Sequence, residues 1–509
     1  MFLVTPKLNA APASAALAAA AVLCALAPAA AAQTLSRDAV AGGVMIVAAA
    51  PAAVSEAMLP DAPSATMLRD PLHAIQVAPE AVPLSLTLDD AVSLGLKNNL
   101  QIALAGQQEK FVHGQILTVG NALLPSLKIA AYSKAQEINL AGMGFKPSTL
   151  AGIPALKSYK IAEIVKVNTS NAQISFSQAL FNVPAYFLYR STQKASEAAA
   201  LNTLNQRGGV VENVGTLYLR ALADQAQIAN AAALVKQDEV VLHHAQDSDA
   251  AGVGIHIDVL RAQVQLENEQ QALIADQNAF AKDKIALNRA MGIPAGQPLV
   301  LTDTVPFAEL AELSLDDAKA LAYSRRKDLL GLEAQQAVAD EAQKAVKYQY
   351  LPTITASGFY GVLGVTNGSY HGDFQAGGTL RFPIFNEAQF RGEREVAAAQ
   401  AIALHQQVAS LKITIEADIR TSMLDVESYA ELVKVARSNV QLAQQELDDA
   451  TLRYTSGVDD SLPLVRAQAS LAGAQARVVQ AEYQYNAAKL ELARRTGVVE
   501  LQYKHYLGR

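Results

Sequence analysis

The chain contains one long unit twice. Leu88-Asp89-Asp90-Ala91 recurs as Leu315-Asp316-Asp317-Ala318, and Leu124-Pro125 as Leu351-Pro352, each 227 positions later. Phe181-Asn182 returns 204 positions on as Phe385-Asn386. Gly252-Val253 and Arg261-Ala262-Gln263 return 205 positions on as Gly457-Val458 and Arg466-Ala467-Gln468. A unit of roughly two hundred residues is far longer than the ~20–50 residue periods of solenoids and propellers. Of the 509 residues, most therefore belong to one pseudo-symmetric object rather than to several unrelated domains. The drop in offset places about 23 extra residues between Leu124-Pro125 and Phe181-Asn182, most simply in a loop near Gln136–Val167.

A net charge of −7 and the lack of any Lys/Arg-rich run speak against a nucleic-acid partner. The N-terminus has the layout of a cleaved export signal, residues 1–32: Lys7, an apolar core from Leu17 to Ala27, and Ala30-Ala31-Ala32 before Gln33. Cys24, the single cysteine, follows Leu23, where a lipidation signal has a small residue, so lipidation is not expected. No other apolar run reaches the ~18 residues of a membrane-crossing helix. Residues 33–84 are rich in Ala and interrupted by Pro51, Pro60, Pro63, Pro71, Pro79 and Pro83, which predicts a disordered leader.

Repeat one is expected over 85–300 and repeat two over 313–497, with a linker at 301–312 and a tail at 498–509. Each opens with a capping pair, Thr87 with Asp90 and Ser314 with Asp317, predicting helices over 87–123 and 315–350. Leu-Pro stops both, because the residue before proline avoids helical geometry. Alternating segments follow, predicting strands at 126–135 and 170–180, then at 353–363 and 373–383. Ile354, Ala356, Gly358 and Tyr360 alternate with Thr353, Thr355, Ser357 and Phe359. About ten residues suffice for a tilted strand to cross a bilayer.

Proline-free stretches predict very long helices over 185–250 and 389–456, each ~100 Å at 1.5 Å per residue. The second carries an apolar seam, Leu404, Val408, Leu411, Ile415, Ile419, Ser422, Val426 and onward to Tyr454, in alternating steps of four and three with one stutter. Glycine-bearing turns at Ala251–Asp258 and Gly457–Pro463 lead into helices over 258–291 and 462–496, which Gly292 and Gly497 are placed to cap. Four strands cannot close a barrel alone, and open sheet edges are not tolerated in lipid. Nor do so few seamed helices satisfy one another. Both facts point to a ring of several chains.

The residues carrying this pattern resemble the TolC-like outer membrane efflux proteins. The paired starts are LTLDDAVSLGLKNN and LSLDDAKALAYSRRKD, and the paired helix ends are LLPS and YLPT. SQALFN and RFPIFN follow the hairpins, and AGVGIHIDVLRAQVQL and RYTSGVDDSLPLVRAQASL mark the far turns. The resemblance spans about Leu84 to Gly497. It implies a mainly α fold with a small β part: a homotrimer with a twelve-stranded β-barrel, four strands per chain, on a long α-helical coiled-coil tunnel. It also implies outer-membrane lipid around the barrel, a periplasmic tunnel, a periplasmic adaptor (membrane fusion) protein and an inner-membrane transporter as partners, and transport without catalysis or a cofactor. The duct would serve efflux or type I secretion.

On that reading the tunnel tip and adaptor-docking site comprises Gly252, Val253, Gly254, Asp258 and Arg261 in repeat one. In repeat two it comprises Gly457, Val458, Asp459, Asp460 and Arg466. The acids either pair with Arg261 and Arg466 to hold the tip shut or simply cap helix starts. Tyr186, Phe187 and Tyr189, with Phe382, Phe385 and Phe390, are the expected aromatics at the barrel base, or else simply pack at the strand–helix junction. His243, His244, Asp247, Asp249 and His256 cluster in sequence, but adjacent histidines face different ways on a helix and no HExxH motif occurs, so no metal site is expected. A trimeric coiled-coil adhesin is the alternative, which a membrane anchor confined to the C-terminus would mark; the mid-chain hairpins speak against it. A soluble coiled-coil adaptor would need a lipoyl-like β domain, for which there is no candidate segment.

Overall fold

The computed structural model describes residues 82–142, 163–252, 254–304, 308–311, 313–365, 368–456, 458–459 and 461–508. The expected signal segment, Cys24, nearly all of the leader, the middle of the 136–167 loop, Val253, Gly457 and Asp460 lie outside the described residues.

Each repeat begins with two helices, where one was expected over 87–123 and one over 315–350. They are α1 (Leu88–Asn98) and α2 (Leu100–Gly120) in repeat one, and α5 (Leu315–Arg325) and α6 (Lys327–Lys347) in repeat two. The breaks at Asn99 and Arg326 are 227 positions apart, and both residues adopt extended backbone (ψ 128° and 119°). Asn99 ends one helix and caps the next, its side chain accepting from the Gln101 amide and donating to the Ala290 carbonyl. Tertiary packing fixes both breaks. Gly292 and Gly497, with φ of 72° and 78°, end their helices against them. A Cβ on Gly292 would stand 2.5 Å from the Asn98 carbonyl oxygen, and one on Gly497 2.7 Å from the Arg326 nitrogen.

Strands β2 (Ser126–Asn139) and β3 (Ile164–Phe181) of repeat one join β5 (Thr353–Val365) and β6 (Tyr370–Arg381) of repeat two in one antiparallel sheet, ordered β2-β3-β5-β6. β2 and β3 outrun the expected strands, so residues 136–139 and 164–167, assigned above to a loop, extend the hairpin. Two short strands, β1 (Leu84–Leu86) and β4 (Leu299–Leu301), pair in parallel, so the leader's last residue is already strand.

The long helices are α3 (Val183–Ala250) and α7 (Glu387–Thr455), 68 and 69 residues. Their partners are α4 (His256–Met291) and α8 (Ser461–Arg495). Toward the sheet, α6 packs between α3 and α7, and α2 packs on α3; toward the other end, α4 pairs with α3 and α8 with α7, and α8 also meets α3. Every named member of the predicted α7 seam is buried or half-buried. Where an isolated helix of this length would be hydrophilic throughout, the seam gives it a packed side.

The largest core lies midway, where β1, β4, α1, the middle of α3 and the ends of α4 and α8 converge. The expected tail supplies a final helix there, α9 (Val499–Tyr506). Tyr218 donates to the Leu86 carbonyl and the Asp303 carboxylate (both 2.9 Å), Tyr503 to Asp89 (2.6 Å), and Arg207 to Glu500 (2.6 Å). At Gly215 the approach of α3 to α8 leaves no room for a side chain: a Cβ would lie 2.6 Å from Leu490 Cδ2. No helix among the described residues is long and apolar enough to cross a membrane.

Candidate functional site: a two-faced sheet and a helical tip

Register fixes what each face of the sheet presents. Ser126, Lys128, Ser175, Ser177, Thr355, Ser357, Gln375 and Thr379 share one face, because Lys128 stands opposite Ser175, Ser175 opposite Phe359, and Phe359 opposite Gln375. This face lines a concavity of about 760 Å³. Leu127, Ile129, Ile174, Phe176, Ile354, Tyr360, Phe374 and Leu380 share the other face. They are bare in the protomer: Ile129 is 85% exposed and Phe374 75%. Strands of 12 to 18 residues with one polar and one apolar face are walls of a membrane barrel.

The junction of sheet and helices carries aromatic rings, Tyr186, Phe187 and Phe390 of the expected set among them. Phe187 stacks on Tyr348 (centroids 5.1 Å, 16°) and meets Tyr186 edge-on. Tyr350 meets Phe390, and the Arg394 guanidinium lies over the Tyr350 ring. Phe382 and Phe385 do not join these clusters; Phe385 is 93% exposed. Tyr348 and Tyr350 were missed, although two tyrosines directly before Leu351-Pro352 mark the point where helix turns into strand.

At the far end, Gly252 takes φ of 71° and lets α3 reverse, with the Gly254 amide closing on the Ser248 carbonyl (2.9 Å). In repeat two the Val458 amide closes on the Arg453 carbonyl (3.0 Å). The charges pair locally. Asp258 is buried in the first turn of α4 and pairs with Arg261 (3.3 Å). Asp459 pairs with Arg453 (3.3 Å) on the preceding helix, not with Arg466, which is exposed on α8. The link between the two turns is one the sequence reading missed: the Ser461 hydroxyl, buried at the start of α8, donates to Asp258 Oδ1. Burial, and then the Asp258 charge, hold the nearby Tyr454 phenol above its usual range.

The histidines divide among separate partners. His243 lies 2.8 Å from Asp247, His256 lies 3.0 Å from Asp249, and His244 packs against the Tyr454 ring. Among the described residues no group of three His, Cys, Asp or Glu side chains converges to hold an ion.

The model of the family described as "Outer membrane efflux protein" matches residues 91–293 and 320–498, once over each repeat. The chain belongs to the outer membrane efflux protein family. The chain is similar to the pyoverdine export outer membrane protein OpmQ of Pseudomonas aeruginosa, 23% identical over 77% of this chain and 81% of that protein. The outer membrane protein TolC of Vibrio cholerae is 20% identical over 77% of this chain and 95% of its own length. In fold the chain is similar to the outer-membrane channel OprN, with a TM-score of 0.68 at 18% identity over 81% of this chain and 89% of that one. The Campylobacter jejuni CmeC channel gives 0.68 at 15% identity, covering 82% of this chain and 89% of its own. The protein is an outer-membrane efflux channel whose helices extend into the periplasm, one of a family of passive channels.

Proposed function

We propose that three copies of this chain close one barrel and one helical tunnel, through which cargo handed over at the periplasmic tip leaves the cell. The observation that carries this reading is the four-stranded sheet. It has an apolar outer face, and β2 and β6 end it with unpaired edges. Such edges are not stable in lipid, and bacterial barrels need about eight strands or more, so other copies must complete the wall. Three copies give twelve strands, and the internal duplication then gives the ring approximate six-fold symmetry.

The tip, from Ala251 to Asp258 and from Ser456 to Ser461, is the surface offered to a periplasmic adaptor. An inner-membrane transporter supplies the energy, and the duct performs no catalysis. Relatives of equal identity, 23%, are named for pyoverdine export and for toluene efflux. At that distance such unlike cargoes share one duct architecture, so the transporter, not this chain, makes the choice. Detergent-purified protein is expected to run as a compact trimer and to conduct ions across a planar bilayer. A monomer without conductance would overturn the proposal.

A further inference from the structure

The two coiled-coil hairpins descend from one unit yet differ in what fills their seams. At an offset of 205 the buried positions coincide: Val210 with Ile415, Val214 with Ile419, Ala231 with Ala436, and Ala245 with Ala450. In that register four positions of the α3–α4 seam are acidic, Asp238, Glu269, Asp276 and Asp283. Their counterparts in the α7–α8 seam are all alanine: Ala443, Ala474, Ala481 and Ala488, each buried.

The acids meet across α3 and α4 in two tiers. In the upper tier Asp224 of α3 stands beside Asp283 of α4, and Asp224 Oδ2 is buried without a hydrogen-bond partner. Arg220 on α3 lies 2.6 Å from Asp283 Oδ2, so of the two carboxyls it is Asp224 that carries the proton. Asp276 of α4 stands close by, and Tyr483 approaches from α8. A groove of about 630 Å³ between the two hairpins reaches Asp224, Asp276 and Gln227 of α3, with Arg477 of α8 on its wall. In the lower tier, fourteen residues or ~21 Å along α3, Asp238 is 2% exposed with Oδ1 unbonded. Glu269 and the neutral Gln265 face it from α4. Burial, then the neighbouring Asp283 carboxyl, push Asp224 up to about 7. Burial, then the Glu269 charge, push Asp238 up to about 7. Burial also raises Glu269 and Asp276.

We propose that the α3–α4 hairpin is a proton-dependent clasp: bound protons hold Asp224 beside Asp283 and Asp238 beside Glu269, and their loss loosens this hairpin while the alanine-lined α7–α8 hairpin stays shut. The sign follows from linkage. The folded seam keeps protons that the opened seam releases, so closure is strongest in acid. It weakens as the pH rises from the ordinary carboxylate range to about 7 and is flat above. The clasp lies within one chain and goes beyond the proposed assembly, since it needs neither trimer nor adaptor.

Amide hydrogen exchange on the full chain tests it. The protection of α3 over residues 228–248 is divided by that of α7 over 433–453, which cancels the pH dependence of intrinsic exchange. Between about pH 5 and about pH 7.5 this ratio is expected to fall about tenfold, the linkage of one proton discounted for partial solvation. The variant Asp238→Ala/Glu269→Ala/Asp276→Ala/Asp283→Ala, which copies the α7–α8 seam, is expected to show a ratio independent of pH. Asp224→Asn/Asp238→Asn, which keeps the shapes and removes the titration, serves where the quadruple variant does not fold. A flat ratio in the unaltered protein, or an undiminished fall in the variants, would overturn the clasp.

Discussion

The α7–α8 hairpin and the α3–α4 hairpin do the same mechanical work by different means. The first is sealed by Ala443, Leu447, Ala450, Leu464, Ala467, Leu471 and Ala474, an apolar strip of small and large residues that fit together without any partner for polar atoms. The second has a short apolar patch near its turn, Ala245, Val259 and Ala262, and above it carries carboxylates at positions where the first has alanine. Duplication thus preserved the register and allowed the chemistry of one copy to drift. An apolar seam has a stability almost independent of pH. An acidic seam has one that depends on the pH of the solvent.

The comparison breaks most readily in the apolar seam. Leu447→Ala removes a side chain that is 3% exposed and is expected to cost about 2–5 kcal/mol by loss of burial and the cavity left behind. Its counterpart, Leu242, is only half-buried, and the same change there should cost clearly less. Chemical denaturation followed by helical circular dichroism measures both. Equal losses would show that the two seams are packed alike.

Next in size is the bond from Ser461 to Asp258, which joins the two tips. Asp258→Ala leaves the buried Ser461 hydroxyl without its acceptor and is expected to cost about 1.5–3 kcal/mol, the range for a bond to a charged group. The loss should appear locally, as faster amide exchange at 256–262 and 461–467. Its counterpart position in repeat two is Pro463, which offers no side-chain acceptor. A smaller effect with the opposite sign is expected from Asp238→Ala. It should raise stability by on the order of 1 kcal/mol near pH 8, where Asp238 is charged, and leave it nearly unchanged near pH 4. Thermal melts at the two pH values decide the sign.

The same contrast explains what could be read from the sequence. The long helices and their turns were legible, because proline-free runs, a seam of period three and four, and Gly252 are local signals. The two-faced sheet was legible in β5 and β6, where alternation is clean. It was understated in β3, whose outer residues Lys166, Asn168 and Thr169 are polar and carry no alternation. The breaks at Asn99 and Arg326 were not legible, since arginine is no helix breaker and the cause, Gly497 seated against it, lies 171 positions away (326 to 497). The Asp258–Ser461 link, spanning 203 positions, was hidden for the same reason. Asp459 misled because two arginines are near it in sequence and only the structure shows that Arg453 is the one in reach.

The smallest expected effect concerns that pair, and it separates two accounts of the tip. Arg453 is 65% exposed and Asp459 35%, so their mutual attraction is screened by water and salt. Arg453→Ala is expected to cost about 0–0.5 kcal/mol and to be insensitive to added salt. Repeat one makes its turn with Ser248 and Gly254 at the matching positions, so an ion pair at these positions is not needed to form it. In both repeats the backbone does the closing, through the Gly254 amide on Ser248 and the Val458 amide on Arg453. A measured loss above about 1 kcal/mol that salt abolishes would mean that charge, not backbone geometry, holds the second tip. The two hairpins would then differ in their turns as well as in their seams, and an adaptor could open the second by offering its own charge to either partner.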